Sequence, residues 1–391
     1  MKILVAPNAF KGSLTAADAA HIISRAVLDV IPDAQILQIP LADGGSGTLD
    51  TLIETTLGDF VEEECTNATG ERIVAPFGIL GQSGFEARTG VIEIAQCCGL
   101  KDIPLRKRNP LVATTYGAGE LMIHAQQEGC LYFIIGLGDT GTHDCGAGIA
   151  QAVGIRLFDN NGKSIGRGGA ELLKLASIDL SVMNRAIAAI KVIAACDVTN
   201  PLLGKNNSAR VYAPQKGADS DALKILEDAS GNFARVVKKE LGKDIGKTEG
   251  SGAAGGAGAG LAAFFDAELR PGAELVLECV HFDEKCLDAD LVITGEGAID
   301  AQTTNGKTIS VVCKHAQKLR VPVIAFAGIT DESDHRLRKE IGLAKMYCIT
   351  PDTATEDEAM RHARNFLEER VKQVFMTENI LANLTNTSLQ Q

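Results

Sequence analysis

The 391-residue sequence predicts an α/β fold, with a discontinuous parallel-sheet domain and a second α/β domain inserted into it. Three observations carry this. Both chain ends alternate short apolar runs with segments of helical period, the pattern of a parallel sheet covered by helices on both faces. The two or three N-terminal strands are too few for a sheet of their own. Between roughly 62 and 284 the texture changes to strand-like alternation broken by turns and glycine-rich loops. Residues 1–61 with 285–391 are therefore expected to build one domain and 62–284 the other, with the active site in the cleft between them.

Taken in order, Lys2–Ala6 is a short apolar strand. Thr15 reads as an N-cap with Asp18 three residues on. Behind it Ala19, Ile22, Ile23, Ala26, Val27 and Val30 repeat at helical spacing. Pro32–Asp33 ends that helix, Gln35–Ile39 returns as a strand, and Leu49–Thr56 starts a helix after the loop Leu41–Thr48. In the middle region, turns are expected at Thr69–Gly70, Phe77–Gly78 and Gln82–Gly84. A helix is expected over Gly117–Gln127, with buried strands over Leu131–Leu137 and Val192–Ala195. The Gly-Ala tract 250–260 runs into Leu261–Asp266, which favours a tight turn opening a helix over a flexible linker. Towards the C-terminus, strands Leu291–Thr294, Val321–Ala327 and Ala344–Ile349 alternate with helices Thr308–Leu319, Glu332–Ile341 and Glu356–Met376. The tail beyond Met376 is expected to fray.

Composition narrows the function classes. Hydrophobic residues at 45% and charged residues at 23% place the chain among globular proteins. A net charge of −12, 4% aromatics and no Trp argue against nucleic acid, which wants basic grooves and stacking platforms. The start MKILVAPNAF has a single Lys and an apolar run too short for a signal peptide. No segment approaches the ~18 apolar residues of a membrane span. A cytoplasmic protein without membrane partners is expected. The ten cysteines contain no C-x-x-C pair, which favours reduced thiols over zinc or disulfides.

Chemistry gathers in loops that follow strands, where α/β proteins present groups to ligands. AFKGSL (Ala9–Leu14) offers Lys11 and the Gly12 and Ser13 amides to an anion. LADGGSGT brings Asp43 beside Gly44 and Gly45. Gly136–Gly148 carries Asp139, Thr140, Thr142, His143 and Asp144. Here His143 could act as a base, although a His beside an Asp more often makes a structural hydrogen bond. After Val192–Ala195, the stretch 196–218 carries Asp197, Asn200, Lys205, Arg210 and Lys216. Gly252–Gly260 is nearly bare backbone, suited to phosphate oxygens or a planar base. Thr294–Thr308 supplies Glu296, Asp300 and Lys307. Three Gly-Lys-Ser/Thr triplets resemble P-loop ends, yet the earlier glycine is replaced by Leu157, Leu241 and Ala301. The parts available suit phosphoryl transfer: amides and cations for phosphates, a carboxylate for Mg²⁺, and a group to orient a hydroxyl.

Together APNAFKGSL, PLADGGSGT, CDVTNPLLG with PQKGA, GAAGGAGAG and TGEGAIDAQTTNGK resemble the bacterial glycerate kinase family, the type with neither a P-loop nor a protein-kinase fold. The resemblance covers nearly the whole chain in order. It implies two α/β domains, one Rossmann-like and discontinuous. It also implies phosphorylation of D-glycerate, with ATP and Mg²⁺ as cofactors and 2-phosphoglycerate the favoured product. Lys11, Asp43, Asp197 and Glu296 are the catalytic candidates, with Asp197 and Glu296 also the candidates for the metal. Ser13, Gly44, Gly45, Asp144, Asn200, Lys216, Gly255, Gly256, Gly258, Asp300 and Lys307 are the binding candidates. Departures from the family pattern lie at Asn8-Ala9 (usually Asp-Ser), Ser46 (usually Glu), Asp139–His143, Ala298 (usually Arg) and Thr308–Ser310, where a Pro is usual. Gln302 and Gly306 keep the pattern. The departures widen the substrate to glycerate or a close 2-hydroxy acid. They also leave a non-catalytic ligand sensor of the same fold as a rival, and the tract Gly250-x-Gly252-x-x-Gly255, which fits the dinucleotide formula without a convincing strand before it, leaves a dinucleotide-dependent dehydrogenase as a second. A homo-oligomer stays open.

Overall fold

The computed structural model describes residues 1–301, 303, 304 and 307–378. Gln302, Gly306 and the tail beyond Glu378 lie outside the described residues. The chain forms two compact units, one of Met1–Asp43 with the described residues from Ala273 onward, the other of Gly44–Gly272.

The chain opens with strand β1 (Lys2–Val5), the helix Ala16–Val30 and strand β2 (Gln35–Gln38). Thr15 caps that helix, its hydroxyl accepting from the Asp18 N–H at 3.0 Å, which satisfies one of the amides a helix start leaves over. Ala19, Ile22, Ile23, Ala26 and Val27 form its buried stripe, as their spacing requires. The second unit then supplies β3 (Asp59–Thr66), β4 (Arg72–Ile79), β5 (Thr89–Glu93), β6 (Tyr132–Gly136), β7 (Arg156–Phe158), β8 (Ser177–Asp179), β9 (Lys191–Ala195) and β10 (Glu268–Arg270). Back in the first unit come β11 (Leu291–Ala298), β12 (Val323–Ile329) and β13 (Lys345–Cys348).

The first unit's sheet is wholly parallel, in the order β13-β12-β11-β1-β2. Its central strands bury Ile3, Leu4, Val5, Leu291, Val292 and Ile293 completely, the continuous apolar run expected when helices cover both faces. Ile3, Val5, Ile293 and Phe326 pack with Ile23 and Val27 of the first helix and with Leu367 and Val371. The second unit's sheet runs β10-β9-β6-β5-β4-β3. There β5, β6, β9 and β10 are parallel, and β4 and β3 extend the sheet antiparallel. A separate ribbon pairs β7 with β8.

Two helices differ from expectation. The one expected from Glu332 starts at His335, because Asp334 caps it by accepting from the Leu337 N–H at 2.8 Å. Glu332 is drawn away instead, to Arg370 and to the Cys348 N–H, both at 2.7 Å. The long final helix breaks at His362 into Glu356–Arg361 and Ala363–Thr377. All ten cysteines are free thiols. Among the described residues no helix is long and apolar enough to cross a membrane.

Candidate active site

The order of the first sheet fixes where a ligand can reach the backbone. From β1 the chain proceeds to β2 on one side, whereas β11, β12 and β13 lie in succession on the other. Ligands of open parallel sheets bind outside the carboxyl ends of the strands at such a reversal. The loops leaving β1 and β11 meet there, and a Cβ on Gly297 would sit 3.3 Å from the Lys11 amide nitrogen. Lys11 is exposed, and the half-buried Ser13 closes its own turn by donating to the Phe10 carbonyl at 3.0 Å.

Glu296, on β11, is only 7% exposed. Burial pushes its carboxyl up to about 7; the Lys307 cation and the Thr303 hydroxyl pull against this, and Asp43 and Asp300 add to it. The structure thus gathers Asp43, Glu296, Asp300 and Lys307 within one electrostatic neighbourhood. Lys307 stands 3.9 Å from Asp300, both partly exposed, at the cap position of the helix Thr308–Lys318. Two of the departures from the family pattern bond to each other: the Asn8 amide donates to the Thr308 hydroxyl at 3.0 Å.

In the second unit, Gly44 and Gly45 lie over the carboxyl ends of β9 and β6. A Cβ on Gly44 would meet that of Ala195 at 3.1 Å, and one on Gly138 would meet Gly45 Cα at 2.6 Å. Asp197, exposed just beyond β9, accepts from the Gly272 N–H at 2.9 Å. Asn200 is committed to the protein, accepting from the Tyr212 hydroxyl at 2.7 Å and donating to the Asn206 carbonyl at 3.0 Å.

The loop after β6 carries the buried His143 and Asp144, and the buried Lys216 reaches it from the short helix Pro214–Lys216. Asp144 accepts from the Thr115 N–H at 2.8 Å and its hydroxyl at 3.0 Å, and from the Gly146 and Gly148 amides at 3.1 and 3.2 Å. Burial raises its carboxyl and these donors oppose it. Lys216, 3% exposed, donates to the Thr140 hydroxyl at 3.2 Å and the Thr142 carbonyl at 2.8 Å. Burial drives its ammonium down to about 7, against the pull of Asp144. His143 is driven down to about 3 by burial and by Lys216, and neither ring nitrogen finds a hydrogen-bond partner. The structural hydrogen bond expected of His143 is therefore not made.

Lys216 yields a stability prediction. From about pH 7 to the ordinary lysine range, the folded protein has released a proton that the unfolded chain still holds. Stability therefore rises with pH across that window. Lys216→Met should lose this rise, so melting temperatures at about pH 7 and about pH 9 should diverge less than in the wild type.

Gly255, Gly256 and Gly258 lie in the helix Ala253–Phe265, whose start includes left-handed residues at Ala254, Gly255 and Gly256. Gly255 and Gly258 are buried against protein backbone, and Gly256 against the Cys145 and Leu202 side chains. A Cβ on Gly255 would fall 2.1 Å from the Thr142 carbonyl oxygen, and one on Gly258 2.6 Å from that of Gly250. With φ at +65°, Gly255→Ala meets both a disfavoured left-handed backbone conformation and a clash. It should destabilise by about 3 kcal/mol, read as a lower denaturant midpoint.

Sequence reasoning missed Thr303, whose hydroxyl donates to Glu296 at 3.1 Å. It also missed Glu93, a buried acid ending β5 that accepts from the Leu49 N–H at 2.7 Å. A lone acid within the apolar run GVIEIA was the available signal for Glu93.

Comparison with known proteins agrees with this architecture. The family model described as "Glycerate kinase family" matches residues 3–378. The chain is 42% identical over 374 residues to the glycerate kinase of Bacillus subtilis (strain 168), covering 96% of this chain and 97% of that protein. It is 41% identical over 364 residues to the glycerate 2-kinase of Escherichia coli (strain K12), covering 93% and 94%. A crystal structure of a protein proposed to be glycerate kinase 2 from Salmonella typhimurium LT2 superposes with a TM-score of 0.86 at 38% identity, over 100% of both chains. With a family model spanning nearly its whole length and relatives of this identity, the chain belongs to the glycerate kinase family of enzymes.

Proposed function

We propose that the protein transfers the γ-phosphoryl group of ATP to a hydroxyl of D-glycerate or a close 2-hydroxy acid, with 2-phosphoglycerate the favoured product. The substrate follows the names of the relatives. The observation that carries the chemistry is Glu296, a buried carboxylate at the reversal of the first sheet with a cation nearby. As the hydroxyl oxygen bonds to the γ-phosphorus and the bond to ADP breaks, the hydroxyl proton passes to Glu296. Lys11 and Lys307 neutralise phosphate or carboxylate charge, and the Gly44 and Gly45 backbone offers close approach. A loose transition state asks less of base strength than of alignment.

Mg²⁺ takes one or two protein carboxylates and completes its shell with phosphate and water. The exposed Asp197 offers such an oxygen, whereas the buried Glu296 suits a proton better. Among the described residues no group of three or more His, Cys, Asp or Glu side chains could hold a metal, so phosphate oxygens would supply much of the shell. When bound, Mg²⁺ would supply neutralisation of the phosphate charge.

The test is a coupled ADP-release assay with Mg-ATP, screening D-glycerate, L-glycerate and related hydroxy acids, with NMR of the product. Saturable ADP release with D-glycerate and a 2-phosphorylated product is the expected result. Ligand-induced thermal stabilisation without ADP release would overturn the reading in favour of a sensor.

A further inference from the structure

We propose that Thr303 is a positioning residue for phosphoryl transfer, holding the Glu296 carboxylate in the orientation that receives the substrate's hydroxyl proton. The proposal rests on the reading of Glu296 given above. Thr303 is wholly buried, a place where a hydroxyl must find partners for its hydrogen-bonding capacity. It finds them on both sides. Its oxygen accepts from the Asp300 N–H at 3.1 Å, and its hydrogen is donated to Glu296 Oε1 at 3.1 Å. With Glu296 ionised the direction is fixed by chemistry, because a carboxylate can only accept and the Asp300 N–H can only donate.

The Thr303 backbone is tied as well, its N–H donating to the Asp300 carbonyl at 2.9 Å. These two bonds between Asp300 and Thr303 hold the hydroxyl, and the hydroxyl holds one oxygen of Glu296. Glu296 itself extends from β11, where it pairs in register with Ala327. Its carboxylate is thus anchored at the backbone and again at its tip. A base that must meet a hydroxyl within a narrow range of distance and angle gains rate from such restraint. Thr303 acts through Glu296 and has no chemical part of its own.

The experiment compares wild type, Thr303→Val, Thr303→Ser, Glu296→Gln and the Thr303→Val/Glu296→Gln double variant, with kcat, both KM values and melting temperatures. Thr303→Val should lower kcat roughly 10- to 100-fold and leave KM for ATP and glycerate within about two-fold. Thr303→Ser, which keeps the hydroxyl, should recover most of the rate. The double variant should be no slower than Glu296→Gln alone, since no carboxylate remains to be oriented. If Thr303→Val multiplies the Glu296→Gln loss, or raises KM with kcat unchanged, the positioning role is overturned. Should Thr303→Val unfold, Thr303→Ser decides: a rate near wild type supports the role, and a loss of 10-fold or more overturns it. A slow Glu296→Gln beside a fully active Thr303→Val defeats Thr303 alone. A fully active Glu296→Gln defeats the reading of Glu296 as well.

Discussion

Glu296→Gln is expected to lower kcat by roughly 100- to 10,000-fold, the range for loss of a positioned acid–base group. The substitution keeps the shape and leaves an amide oxygen to accept from the Thr303 hydroxyl. What it removes is the ability to take a proton. With the carboxyl raised to about 7, wild-type kcat should climb as pH passes through that value on the acid side, and the variant should lack this limb. Stability gives an independent check on the sign. A carboxyl raised above its unfolded value favours the folded state at low pH and loses that contribution as pH rises through about 7. Above that pH the wild type bears the cost of a buried charge and the Gln variant does not. The variant should therefore melt no lower than wild type at about pH 8, and activity lost without stability would separate a chemical role from a structural one.

The second large effect is expected at Asp197. Asp197→Asn should reduce kcat by at least ~100-fold, the lower end of what a positioned carboxylate contributes. The Asn side chain keeps an oxygen able to accept from the Gly272 N–H, so the local backbone should hold and circular dichroism should be unchanged. If Asp197 serves Mg²⁺, the variant should also need more Mg²⁺ for half-maximal rate, because one of its few protein oxygens has lost its charge. Near-normal turnover in a folded variant would remove Asp197 from the reaction.

Much of the fold was legible because its central elements follow period. The first helix shows its buried stripe in the spacing from Ala19 to Val27 and its start in Thr15, and both stand in the structure. The loops after β1, β9 and β11 were readable as strand ends laden with polar groups. Less legible was anything decided across the fold. Nothing local marks His362 as a break within a run of good helix formers. Gly255 and Gly258 read equally well as a phosphate cradle and as close packing, and their contacts with Thr142 and Gly250 come only from tertiary structure. Thr303 looks like an ordinary turn residue in the sequence, and its bond to Glu296 on β11 comes only from tertiary structure. His143 looked like half of a His–Asp pair, yet Asp144 spends its oxygens on Thr115, Gly146 and Gly148.

The pairing of β1 with β11 sets the order in which the molecule can be completed during synthesis. Ile3 lies beside Leu291, and the neighbouring Lys2–Asp290 bond spans 288 residues. At a ribosomal rate of about 5–20 residues per second, β1 waits roughly 15 to 60 s for its partner. During that interval β1 has only β2 and the helix Ala16–Val30 to pack against, while Gly44–Gly272, one uninterrupted stretch, can emerge and fold. The middle of the chain should therefore mature first. The last part of the chain to be made then closes the sheet that holds Glu296, so an arrested or truncated product would carry a folded middle stretch beside an unfinished first sheet.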